Sequence, residues 1–241
     1  MDTDTAAPEV RELFLDLISK VQGSASITSL LGVRDMFSSE AWQRALEHVN
    51  GEVSSPEIER RNIERVARIL IREGWTVERE VWAADRAFRV DLLVTHPDIS
   101  SWGHIEVKDS VGPSGKEYVD AVKQAADYVG CSTADGRSID WGAVYPVRFA
   151  HLWNGSRSEV SRDERLAMAP IAQFISGVFE LASKHFKVHA LFHAPRHDRP
   201  RGDALTLMYL NRHRIWQEGM GFAAQAETYL CGKRQVGGTR K

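Results

Sequence analysis

The chain reads as an α/β protein in which a mixed sheet is flanked by helices. Three observations predict this. A strongly amphipathic helix covers about residues 54–73, short apolar-alternating strands follow at 75–81, 89–94 and 104–108, and a second helix over 116–130 leads into a further strand at 140–147. A strand reached through a crossover helix is expected to run parallel to the one before it, so the sheet is expected to be mixed. The hydrophobic share of 43% and charged share of 27% are those of an ordinary globular chain, and 241 residues suffice for a sizeable core.

Residues 1–54 read as an N-terminal helical segment, PEVRELFLDLISKV, SITSLLGVRDMF and SSEAWQRALEHV, with no catalytic pattern in it. The helix after Ser54-Ser55-Pro56-Glu57 is clearer. Proline is tolerated in a first helical turn, Gly74 supplies the stop, and Ile63, Val66, Ala67 and Leu70 make one apolar stripe. Glu59 lies four residues before Ile63 and extends that stripe, while Glu64 sits on its edge. Trp75 to Val81 alternates as the first strand.

The stretch RVDLLVTHPDISSWGHIEVKDS, residues 89–110, is the centre of the reading. Successive strand side chains point to opposite faces, so Ile105 and Val107 face one way and Glu106 and Lys108 the other. Asp91 stands on the polar face of its own strand, between Val90 and Leu92. Pairing of the two strands brings two carboxylates and one ammonium to one spot. Two like charges so placed repel each other, so the site expects a cation. Magnesium takes one or two carboxylates and keeps several waters, and the backbone carbonyl of Val107 offers a further oxygen. The plain alternative is a solvated amphipathic hairpin.

An Asp in one apolar strand, with Glu-x-Lys fifteen residues later in the next, resembles the catalytic core of the PD-(D/E)xK nuclease superfamily. The resemblance covers about residues 55–150. It implies a restriction endonuclease-like fold and a magnesium-dependent deoxyribonuclease, with manganese as a substitute cation. Asp91 and Glu106 would be the metal carboxylates and Lys108 the group that assists the attacking water. In that superfamily a preceding helix commonly brings another Glu to the metal. The register leaves Glu59 and Glu64 both open, with Glu64 preferred for its nearness to the packed half of the helix. In the following helix, Gln124 and Tyr128 are four apart and share one side. Gln-x-x-x-Tyr after Glu-x-Lys resembles the extra motif of the RecB-like branch, although that branch's upstream histidine is not evident. The rival reading is a nuclease-fold protein that binds DNA or another protein without cutting. Endonuclease and exonuclease action stay open.

Residues 151–241 are read as an α+β elaboration packed on the 55–150 core, with helix over 158–187, strands at 188–193 and 204–217, and a last helix GFAAQAETYLC at 221–231. Residues 184–241 hold eleven Lys and Arg against four Asp and Glu, a local charge of +7 on a chain whose net charge is −2. Such a basic end is suited to a polyanion. Arg196, Arg199 and Arg201 beside His197, and Arg212 and Arg214 around His213, are the candidate DNA-backbone contacts. His185, His189, His193 and His197 recur every four residues, but a strand at 188–192 and Pro195 forbid the helix that would align them on one face.

Two cysteines, Cys131 and Cys231, are too few for a disulfide framework or a cysteine zinc site. No apolar run approaches membrane-spanning length, and the acidic start MDTDTAAPEVRELF lacks the features of a signal peptide. The expectation is a cytoplasmic protein without a membrane partner, targeted to DNA as a homodimer or through a partner subunit.

Overall fold

Helix α1, Pro56–Arg72, forms because its apolar residues recur at helical spacing; it buries Ile63, Val66, Ala67 and Leu70 on one side. It ends at Gly74, whose φ of 90° is a left-handed stop that residues with a Cβ avoid. The computed structural model describes residues 56–108, 116–146, 177–195, 203–210 and 213–231. After α1 come β1 (Thr76–Trp82), β2 (Arg89–Thr95), β3 (Trp102–Lys108), α2 (Lys116–Tyr128) and β4 (Ile139–Pro146). Helix α3 (177–186) precedes β5 (Val188–Pro195). The chain then adds β6 (Asp203–Tyr209), β7 (His213–Gln217), β8 (Gly221–Phe222) and α4 (Ala226–Cys231).

The eight strands form a single mixed sheet in sequence order. β1, β2 and β3 are antiparallel, β3, β4 and β5 are parallel, and β5 to β8 are antiparallel again. The two parallel steps are those with a helix in the connection, α2 before β4 and α3 before β5. The strands after residue 187 thus extend the same sheet that holds Asp91 and Glu106.

α1 and α2 cover different parts of this sheet. α1 packs its stripe against Leu92, Val94, Ile105, Val107 and Trp141, a core that also takes in Trp75 and Trp216. Trp75 meets the Trp141 and Trp216 rings edge-on at 6.2 Å and 5.5 Å. α2 lies on β3 and β4. Its buried residues include Val119, Ala121, Val122, Ala125 and Ala126. Small side chains let it come close enough for His104 Nε2 to meet the Ala125 carbonyl at 3.0 Å. A Cβ on Gly142 would lie 2.6 Å from that ring nitrogen, and one on Gly103 would lie 2.1 Å from the Trp141 ring. Glycine is needed at both places.

The alternative of a solvated hairpin fails on the face of β3 that carries His104 and Glu106: both are buried, because α2 covers it. One sequence expectation is corrected. The last helix begins at Ala226, not Gly221; Gly219 and Gly221 have positive φ, and Phe222 pairs with Trp216 as strand β8. The helix expected over 158–187 is seen over 177–186, its earlier part lying outside the described residues.

Candidate active site

Asp91, Glu106 and Lys108 come together where β2 and β3 part. The β2–β3 ladder runs through Val94↔Gly103, Leu93↔His104 and Leu92↔Ile105, and Asp91 is the next residue after it. Its Oδ2 accepts a hydrogen bond from the Val107 N–H at 2.8 Å, so a side chain takes the place of the strand partner. Val107 therefore meets the site through its amide. Glu106, 1% exposed, accepts from the Lys108 ammonium through Oε1 at 2.8 Å. Glu106 Oε2 is buried and has no hydrogen-bond partner among the described residues. A solvated hairpin is excluded for Glu106 by this burial.

The electrostatics follow from crowding charge in a dry place. Burial, and then the Asp91 charge, push Glu106 from 4.5 to about 7, against the opposing pull of Lys108. Burial also raises Asp91, with the charges of Glu59 and Glu80 adding to it; the Val107 N–H and Lys108 work the other way. Burial disfavours the Lys108 ammonium, but the Glu106 carboxylate beside it, with Asp91, outweighs this and holds Lys108 above its ordinary value. The cluster thus has one carboxyl that keeps a proton near neutrality, and its ammonium stays charged.

The neighbouring elements differ in what they bring. From α1, it is Glu59 whose charge acts on Asp91, Glu106 and Lys108. Glu64, preferred from the sequence, is instead engaged by the Arg79 guanidinium, Nε to Oε1 at 2.7 Å and Nη2 to Oε2 at 3.1 Å. The reason is pitch: residues five apart on a helix lie well round its axis from one another. From α2, Gln124 Nε2 donates to the Tyr128 hydroxyl at 2.8 Å. The Tyr128 ring stacks on Phe88 at 3.9 Å and lies 5.4 Å from His104. Burial first, and the Glu106 charge further, raise the Tyr128 phenol, which places this ring within electrostatic reach of the cluster.

Of the predicted basic contacts, Arg214 alone falls among the described residues, and it is not at this site. Arg196, Arg199, Arg201, Arg212 and His197 lie outside the described residues. Arg214 is on β7, four strands from β3 and on the order of 19 Å across the sheet; its Nη1 is 3.1 Å from Met220 Sδ. His185, His189 and His193 do not form a metal face, since His189 and His193 belong to strand β5. His189 is fully buried, with Nδ1 3.4 Å from Ser183 Oγ, and burial lowers it to about 3. Sequence reasoning missed Glu80, a left-handed residue with φ of 55° directly across from Asp91. Nothing in TVEREVW marks it, since a glutamate in an alternating stretch predicts ordinary extended backbone.

No protein-family model matches the chain, and neither does any curated protein or solved structure. Among the described residues no three His, Cys, Asp or Glu side chains converge as a ready cage for a metal. No helix of the described residues is long and apolar enough to cross a membrane.

Proposed function

We propose that this chain is a magnesium-dependent deoxyribonuclease of the PD-(D/E)xK kind, hydrolysing DNA phosphodiester bonds. The observation that carries the reading is the meeting of Asp91, Glu106 and Lys108, with a buried Glu106 oxygen that has no partner among the described residues. An unpaired buried carboxylate oxygen is costly, and a hard cation satisfies it. The order α1, β1, β2, β3, α2, β4, with Asp on the second strand and Glu-x-Lys on the third, supports a restriction endonuclease-like core.

The residues fit such a cation. Magnesium is ordinarily held by one or two carboxylates and several waters, and Asp91 and Glu106 supply two; manganese fits the same oxygens. When bound, the ion supplies Lewis-acid stabilisation of phosphate oxygens and lowers the pKa of a bound water. Lys108, charged and with a quarter of its side chain exposed, is the donor positioned to hold a water or a phosphate oxygen. Val107 N–H fixes one oxygen of Asp91 and leaves the other for the ligand. Glu59 is the further carboxylate on the approach. Tyr128, held by Gln124, borders the site from α2. Targeting to DNA through the basic C-terminal residues, with a second copy or a partner subunit, belongs to the same proposal.

The test is cleavage of supercoiled, linear and single-stranded DNA with magnesium, manganese or EDTA, for the natural protein and Lys108→Ala. Metal-dependent cutting that Lys108→Ala loses is the expected result. A pure natural protein that cuts no substrate with either metal sinks the proposal.

A further inference from the structure

The β1–β2 ladder breaks at one step. Arg79 pairs with Leu92 and Val81 with Val90, but the step between them, Glu80 across from Asp91, is absent. Glu80 is left-handed there, with φ of 55°. A residue with a Cβ keeps that conformation only where its surroundings impose it. The apolar side chains record the consequence. Val77 and Val81 share a face in an unbroken strand. Here Val77 packs with the α1 core, while Val81 packs with Val90, Leu93 and Ile139. Leu92 and Val90 are divided between the two clusters in the same way. The hairpin therefore turns over by one residue at Glu80 and Asp91, and Asp91 leaves the ladder to reach the Val107 amide. The Glu80 side chain is tied to Arg89 at 2.5 Å, both about half exposed.

We propose that Glu80 is a positioning residue: its left-handed backbone swings Asp91 out of the ladder and sets the carboxylate on the Val107 amide. β1 supplies none of the three converging groups, yet it sets their geometry. The geometric part stands alone, and only its effect on cleavage rests on the nuclease reading.

Glycine and asparagine accept a left-handed backbone at little cost, and alanine and valine do not. Glu80→Gly is therefore expected to melt at a higher temperature than Glu80→Ala, although glycine inside a strand ordinarily weakens it. The Val107 amide, followed by hydrogen exchange in NMR spectra, is the second readout. In Glu80→Val, as in Asp91→Ala, its exchange is expected to be about tenfold faster, as for loss of one hydrogen bond. In Glu80→Gly and Glu80→Asn it keeps its natural protection. Cleavage by Glu80→Val is expected to need a several-fold higher magnesium concentration for half-maximal rate. Glu80→Ala melting at or above Glu80→Gly overturns the proposal, as does natural Val107 protection in a folded Glu80→Val. Should Glu80→Val not fold, the Gly and Ala proteins decide by the same two measurements. If the amide behaves as expected while the natural protein cuts nothing, the nuclease reading falls and the positioning role stands.

Discussion

Replacing Glu106 by glutamine should stabilise the protein at neutral and alkaline pH while abolishing its activity. Below pH 4 the carboxyl is protonated in the folded and the unfolded chain, and its ionisation contributes nothing. Between 4.5 and about 7 the unfolded chain gives up the proton while the fold retains it. The folded state then binds more protons than the unfolded one, so stability falls as pH rises through this window. Above it the penalty is constant, and the distance from 4.5 to about 7 corresponds to about 3 kcal/mol. Glutamine keeps the shape without the charge and removes this penalty. It also takes a partner from Lys108, whose side chain, a quarter exposed, still reaches water. A net gain of about 2 kcal/mol at pH 8 is expected, with little difference at pH 4.5. Urea denaturation of both proteins across that range is the assay. Magnesium added at about a hundred times its dissociation constant should recover about 2.7 kcal/mol for the natural protein and far less for Glu106→Gln. Parallel pH profiles, or a variant less stable than the natural protein at pH 8, would refute the reasoning.

Further outcomes follow from other residues. Glu59→Gln should raise the magnesium concentration needed for half-maximal cleavage several-fold, whereas Glu64→Gln should leave it unchanged and lose only a partly exposed ion pair with Arg79, about 0.5 kcal/mol by denaturation. Asp91→Ala should abolish cleavage in a protein whose far-ultraviolet circular dichroism is unchanged; cutting at the natural rate would remove Asp91 from the site. Tyr128→Phe should keep the stack on Phe88 but lose the Gln124 bond, costing about 1 kcal/mol in thermal denaturation. Gly103→Ala sets a methyl against the buried Trp141 ring and should destabilise by about 3 kcal/mol or fail to fold, read by expression and melting temperature.

Much of the framework was legible in the order of the residues. The stripe Ile63, Val66, Ala67, Leu70, the alternation in β1 to β3 and the glycine stops are local patterns, and local patterns predict local structure. Strand alternation likewise showed that Asp91, Glu106 and Lys108 are able to meet. What lies on the far side of a strand is not a local property. Strand alternation left Glu106 either in a charged site or on a solvated hairpin, and only the packing of α2 over β3 and β4 makes it a buried carboxylate with an oxygen unpaired among the described residues. The sequence left Glu59, on the apolar stripe, and Glu64, at its edge, both open, and only the tertiary structure shows Arg79 of β1 engaging Glu64. The left-handed turn at Glu80, where the β1–β2 ladder is interrupted, has no residue signature, because glutamate does not prefer that conformation. The amino-acid sequence determined which groups the chain carries and in which elements; the tertiary structure decided which of them lose water, because desolvation depends on what packs above a side chain and not on its neighbours along the chain.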